Sequence, residues 1–369
     1  MKTWHKVSLG LLVVLSACLL GVSFVLLAPS NTSMNEIIHI PKTKRVSERG
    51  IYITAWVAQT PKRFNFLKNE AKRAGINTIV VDAKEIISRP LIELVKEKKL
   101  NAGTKLEPDP WLVKLTEDLH KDGFIVSARL VTFKDDHLVI ARTDLSIQMK
   151  GGGIYRDRKG GRWADPYADE VRLYNELIAE RAAISGVDEV QFDYIRFPAE
   201  GRAKDALYLH EKEGVTKVDA ICLFLEGVKK RVAKYNVSIA VDIFGVTAWQ
   251  SKDDIKNLGQ DLKRMAKYID VISPMLYPSH FHRGYDGYAN PGSEPYYFIN
   301  AGVKKTREIL SGEAVTIVPW IQGFDMRSPN FGTDYILKQI KACTDEKVTG
   351  FLVWNAGNRY DVTFSALRK

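Results

Sequence analysis

The sequence predicts an α/β protein built as a single-domain (β/α)8 TIM barrel. From Gly50 onward, short β-rich runs alternate with amphipathic helical stretches, eight of the first and seven of the second within about 320 residues. The competing architecture, an open doubly wound sheet, lacks its signature. No GxGxxG or GxxxxGK[ST] follows a strand, and the Gly151 to Gly153 run sits in a loop before Trp163.

Taken in order, the first strand is expected over Ile51 to Trp56 and a helix over Pro61 to Ala74. A second strand covers Ile76 to Asp82, a third Phe124 to Val131 after a helix from Trp111 to Asp122, and a fourth Val187 to Tyr194 after a helix from Ala168 to Ser185. Each run is rich in β-branched and aromatic residues. The fifth strand is expected over Ser238 to Phe244 and the sixth over Val271 to Leu276, preceded by helices over Val218 to Tyr235 and Leu258 to Tyr268. In the last of these, Leu258, Leu262, Met265, Ala266 and Ile269 recur at helical spacing. Helices over Pro295 to Leu310 and Tyr335 to Asp345 alternate with strands over Val315 to Trp320 and Gly350 to Trp354. The chain ends fifteen residues after Trp354, which leaves little for an eighth helix. The segment before the first strand is expected to cover that gap.

Residues 1–6 read as a cytoplasmic amino terminus, 7–28 as a transmembrane anchor or signal segment, 29–48 as a polar linker and 49–369 as the barrel. Val7 to Ala28 is an uncharged stretch of 22 residues. As a helix it would rise about 33 Å, enough to cross a bilayer core. Lys2 and Lys6 precede it and favour a cytoplasmic amino terminus with an exported barrel. The alternative is processing: Leu15 to Cys18 resembles a lipoprotein cleavage box with Cys18 as the lipidated residue, although the chain stays apolar for ten residues beyond it. Ordinary signal peptidase cleavage is a third route, and all three place the barrel outside the cytoplasm.

With 45% hydrophobic and 27% charged residues, a sizeable core is available and disorder is excluded. The charge of +10 is scattered among acidic residues and forms no nucleic-acid-reading motif, so no nucleic acid partner is expected. Cys18, Cys222 and Cys343 are too few for a disulfide framework and lack zinc spacing. No metal and no cofactor is expected, and no GxSxG elbow supports a serine nucleophile.

In such barrels the working residues lie at the carboxyl ends of the strands. In VDEVQFDYIRFP, alternation sends Phe192 to one side and Gln191, Asp193 and Ile195 to the other, which puts Asp193 at the mouth. Asp242 holds the same relative place in SIAVDIFGVTAW. Strands lie about 4.8 Å apart, so the two carboxyls are expected within roughly 5 to 9 Å, the range over which glycosidases use an acid pair. The alternative is that each Asp only ion-pairs at the rim, Asp193 with Arg196 or Arg129. Asp82, Lys84, Arg129 and Arg196 are expected to charge the cleft, with Tyr277 and His280 beside them in the rigid Tyr277 to His280 turn. Trp56, Trp249, Trp320 and Trp354 also fall at strand ends, where flat rings stack on sugars or pack loops onto the barrel.

The segments GIYITAW, NTIVVDAK, ARLVTFKD, WADPY, DEVQFDYIRFP, VDIFG, GQDL, DVISPMLYPSHF, PWIQGF and WNAGNRY occur in order from Gly50 to Tyr360. Together they resemble a bacterial glycosyl hydrolase-type (β/α)8 barrel family, long catalogued as a domain of unknown function and distantly similar to α-amylase-type barrels. The resemblance implies a carbohydrate substrate and glycosidase activity. By analogy with amylase-like barrels, Asp193 matches the nucleophile at the end of the fourth strand. The acid on the fifth strand of those barrels is Glu, whereas position 242 is Asp. Relatives also read Asp, any residue, Lys, Asp and a glycine turn at the second strand. Here Asp82, Ala83, Lys84 and Glu85 lead on without the glycine, which implies a rebuilt loop.

The expected function is therefore a glycoside hydrolase acting outside the cytoplasm on a polysaccharide or oligosaccharide, with Asp193 as nucleophile or base and Asp242 as acid. Its rival is a catalytically inactive glycan-binding barrel tethered to the membrane.

Overall fold

A computed structural model describes residues 47–249, 251–348 and 350–368. The expected anchor, Cys18 and nearly all of the linker lie outside the described residues. Among the described residues, no helix is long and apolar enough to cross a membrane.

Eight parallel strands close into a barrel: β1 (Arg49–Ile53), β2 (Thr78–Asp82), β3 (Ile125–Val131), β4 (Glu189–Asp193), β5 (Ser238–Phe244), β6 (Val271–Met275), β7 (Thr316–Ile317, resumed at Trp320–Gln322) and β8 (Phe351–Trp354). Closure is made where β8 returns to β1, with Gly50 opposite Leu352 and Ile51 opposite Val353. The gap in β7 falls at Val318 and Pro319. Proline has no N–H to give the ladder, and the strand resumes with Trp320 opposite both Met275 and Leu352.

Period-two alternation divides the apolar side chains into two bodies. Tyr52, Val80, Ala240, Val271, Val318, Trp320 and Leu352 belong to one cluster that fills the lumen. Their chain neighbours Ile51, Ile53, Ile79, Val81, Val241 and Val353 point the other way and join the larger cluster under the helices. The helices of seven residues or more are α1 (Pro61–Arg73), α2 (Arg89–Lys96), α3 (Pro110–Lys121), α4 (Asp169–Ile184), α5 (Lys217–Val232), α6 (Lys252–Leu258), α7 (Pro295–Ile309), α8 (Thr333–Asp345) and α9 (Asp361–Leu367).

Two expectations are corrected. The helix expected over Leu258 to Tyr268 is reduced to a single turn, Leu262–Met265, which Asp261 caps by accepting from the Arg264 N–H; the helix before it, α6, was not expected and stops where Gly259 turns left-handed at φ +75°. After β2 a short turn at Lys84–Ile87 leads into α2, a helix that the sequence pattern did not mark and that buries Leu91, Ile92 and Val95. An eighth covering helix also exists within the short carboxyl-terminal tail. It is α9, which buries Phe364 while Arg368 pairs with Glu70 of α1.

Candidate active site

Alternation along each strand determines which side chains reach the mouth. Asp82 ends β2 opposite Arg129 of β3. In β4 and β5, Phe192 lies opposite Val241, so Asp193 and Asp242 stand level, one step further along neighbouring strands. Both carboxyls line one cavity of about 480 Å³ at the barrel mouth, together with Arg129, Tyr277, His280, Trp320 and Trp354. That volume lies in the ~300–1,000 Å³ range of small-ligand sites.

The two acids have different partners. Asp193 is held by Arg129 on Oδ2, and its Oδ1 accepts the Tyr194 N–H at 2.6 Å. Tyr194 sits in the left-handed region at φ +51°, a conformation costly for a bulky residue, and this places its N–H against the preceding carboxylate. The other arm of the Arg129 guanidinium binds Asp82, which also accepts the Tyr52 hydroxyl. Arg129 lies 5.0 Å from the Trp354 ring centre and 5.5 Å from that of Tyr52, and these two rings stack at 4.0 Å. Asp193 therefore rests on a fixed cation wedged between two carboxylates and two rings.

Asp242 has no cation bonded to it. Its Oδ1 accepts the Trp320 Nε1–H at 2.7 Å and the Gln191 Nε2–H at 2.9 Å. Burial, and next the charge of Asp193, push its carboxyl well above the usual carboxylate range. The site thus pairs a cation-bound carboxylate with an acid that burial favours in its protonated form, the division of labour that acid-assisted bond cleavage requires.

The remaining predicted residues divide by place. Asp82 and Trp56, the latter 72% exposed, line an adjoining hollow of about 490 Å³ that meets the first cavity at Arg129 and Tyr194. Lys84 borders that hollow, but its ammonium is enclosed by the Val131 and Thr132 carbonyls, Asn175 and Asp135, at 2.6, 2.7, 2.8 and 2.7 Å. With its side chain only 8% exposed, Lys84 is a strut joining β2, β3 and α4 rather than a substrate contact. Arg196 is not brought to the cavity. It lies 4.0 Å from the centre of the Phe244 ring, donates to the Phe197 carbonyl and pairs with Glu200, so it supports the wall from behind. Trp249 also stays outside, bonded to Asp286 and packed on Phe281.

Sequence reasoning gave no role to Gln191, Tyr52, Tyr194 or Lys159. Gln191 and Tyr52 shared the inward face by alternation. Lys159, which lines the cavity, lay in a loop with no periodicity to read.

A closed parallel barrel with a carboxyl pair at the carboxyl ends of neighbouring strands defines a (β/α)8 protein of the glycoside hydrolase type. Residues 50–360 match the family described as "putative glycosyl hydrolase domain", and the chain belongs to that family. No curated protein matches the chain. Solved structures similar to it include the PgaB (BpsB) glycoside hydrolase domain from Bordetella bronchiseptica, at 12% identity and TM-score 0.59, covering 87% of this chain and 98% of that one. A catalytic mutant of a GH42 β-galactosidase from G. stearothermophilus aligns at 12% identity and TM-score 0.58, over 88% of this chain and 56% of that one. The catalytic domain of a β-amylase from Paenibacillus polymyxa aligns at 11% and 0.51, over 87% and 95%. At these identities the likeness is one of fold.

Proposed function

We propose that this chain hydrolyses glycosidic bonds of a polysaccharide outside the cytoplasm, held at the membrane through residues 7–28, with Asp242 as general acid and Asp193 as the opposing carboxylate. Asp242 gives its proton to the glycosidic oxygen as the bond to the anomeric carbon breaks. Asp193 either bonds to that carbon or takes a proton from the attacking water. The observation that carries this reading is the unequal environment of two level carboxyls in one cavity, Asp193 bound to Arg129 and Asp242 buried without a cation. The test is release of reducing ends from a broad glycan panel. The wild type is expected to cleave at least one member, and Asp193→Asn to bind that glycan without cleaving it.

Lys2 and Lys6 before the apolar run from Val7 to Ala28 support the membrane placement. Protease added outside intact cells is expected to digest the barrel and leave a short membrane-bound fragment.

One observation favours a second reading, a glycan-binding barrel without turnover: both oxygens of Asp193 already hold donors, Arg129 and the Tyr194 N–H. Binding without cleavage by the wild type across the panel would select it.

A further inference from the structure

Building on the glycan reading of the mouth, we infer that Lys159 forms a charge-selective subsite and that the sugar seated beside it carries an anionic substituent, a carboxylate or a sulfate ester. Failure of this inference and failure of the glycan reading give different results in the experiment below.

Lys159 reaches the mouth on a turn fixed in place by Asp157. The Asp157 carboxylate accepts the backbone N–H groups of Lys159 at 2.9 Å and Gly161 at 3.0 Å, and it pairs with the Lys134 ammonium at 2.6 Å. The turn is closed by the Gly160 N–H donating to the Asp157 carbonyl at 2.9 Å and the Asp157 N–H donating to the Gly161 carbonyl at 3.0 Å. Gly160 holds φ at +82°, where a side chain is disfavoured, and a Cβ on Gly161 would come within 2.5 Å of Lys134. This arm therefore presents the Lys159 stem to the cavity from a rigid base.

Arg129, Lys134, Arg196 and Arg327 are engaged and Lys159 is not. Arg129 holds Asp82 and Asp193, Lys134 holds Asp157, Arg196 holds Glu200, and Arg327 donates to the Ser279 carbonyl. Among the described residues, no carboxylate pairs with the exposed Lys159 ammonium. Neither cavity acid is free to serve it, since Asp193 already bridges to Arg129 and burial favours the neutral form of Asp242. On the same wall, burial lowers His280 to about 4, with Arg327 and Lys159 adding to the effect, so its ring is neutral at physiological pH and offers no second cation. A neutral sugar would leave this ammonium simply hydrated, whereas an anionic substituent beside it gains Coulomb attraction where the cavity walls exclude part of the solvent.

The experiment measures binding, so it does not depend on turnover. The full chain in detergent, as wild type, Lys159→Gln and Lys159→Glu, is titrated calorimetrically at low and high salt. The probes are uronate oligosaccharides on several backbones, their carboxyl-reduced neutral counterparts, and sulfated oligosaccharides of the same lengths. The wild type is expected to prefer a charged probe by about 3- to 5-fold over its neutral match, the size of a partly screened ion pair, and salt should shrink that preference. Lys159→Gln should abolish the preference and Lys159→Glu reverse it, while neutral probes bind all three alike. Whichever charged probe gains identifies the anion. Equal binding of charged and neutral probes by the wild type, or an unchanged preference in Lys159→Gln, overturns the subsite and leaves the glycan reading intact. Binding of no probe overturns both.

Discussion

In the proposed mechanism Asp242 is the general acid, so replacing it by asparagine should separate catalysis from folding. The Asp242 carboxyl is buried and accepts two hydrogen bonds on Oδ1, from Trp320 and Gln191. An asparagine oxygen can accept the same two bonds, and the side chain is nearly isosteric with the protonated acid. Loss of a general acid slows glycoside cleavage by about 10²–10⁴-fold, which at ~1.36 kcal/mol per decade is roughly 2.7–5.4 kcal/mol of transition-state stabilisation. Stability should respond in the opposite sense. Burial, then Asp193, raises the folded-state pKa of Asp242, so above about pH 3.9 the unfolded chain releases a proton that the native state keeps. The stabilisation linked to this group is complete below the unfolded value and is lost as pH rises through the folded one, at up to ~1.36 kcal/mol per pH unit. Asp242→Asn removes that slope. Chemical denaturation of both proteins from acid to neutral pH, alongside reducing-end assays, reads both effects. The variant should gain on the wild type in stability as pH rises while losing nearly all activity. If instead Asp242→Asn is several kcal/mol less stable at neutral pH, or the difference between the two does not vary with pH, the acid is not held protonated and the reasoning fails.

Arg129→Met leaves the Asp82 and Asp193 carboxylates without their shared cation, and its urea midpoint should fall by the equivalent of about 3–5 kcal/mol. Lys84→Met strands Asp135 in the same way and should cost a similar ~3–5 kcal/mol, yet the folded fraction should bind glycan with unchanged affinity, because the ammonium does not face the cavity. Trp320→Phe keeps a ring at the mouth but removes a donor that favours ionised Asp242. The carboxyl pKa should rise further and the alkaline limb of the kcat/KM profile should move to higher pH, whereas a downward shift or none would deny that bond its role. Gly245→Ala would set a methyl 2.5 Å from the Met275 carbonyl oxygen in the cavity wall, and thermal melts should show a loss of about 1–3 kcal/mol.

The barrel was legible in the sequence because its strands are buried on both faces and read as apolar runs of matching length, as TIVVD in β2 and FLVW in β8 show. Helix boundaries failed where one backbone angle decides them, as at Gly259, whose left-handed turn breaks a stretch with unbroken helical spacing on both sides. Alternation also placed Asp193 and Asp242 on one face, since a side chain with one or two bonds beyond Cβ stays where its strand puts it. The choice of cation for Asp193 was not legible. Arg129 and Arg196 were both candidates by spacing, but Arg129 reaches along the inner face to two neighbouring strands. Strand parity ends at Tyr194, whose left-handed backbone turns the following residues away, and Arg196 packs behind Phe244. Long side chains and single positive-φ residues carry the information that a linear pattern omits.

The lumen beneath the site determines how the Asp242 carboxyl is presented. The Ser127 hydroxyl donates to Glu189 at 2.7 Å, and Gln191, one layer higher, is enclosed in the lumen with its amide nitrogen on Asp242 at 2.9 Å. From the β7 side the Trp320 indole donates to the same oxygen at 2.7 Å. Two donors on Oδ1 leave the protonated carboxyl one place for its hydrogen, Oδ2, the oxygen that remains for a ligand. A buried polar network of this kind is costly unless fully satisfied, and its arrangement determines which oxygen carries the proton. The amylase-like pattern has Glu on this strand. With Asp here, the carboxyl is withdrawn by about one bond, and Gln191 below and Trp320 beside it fix its orientation. Exchange of position 242 to Glu would push the carboxyl past both donors. Even a mutant that still folds should therefore lose activity, and its pH profile should lose the limb that Asp242 sets.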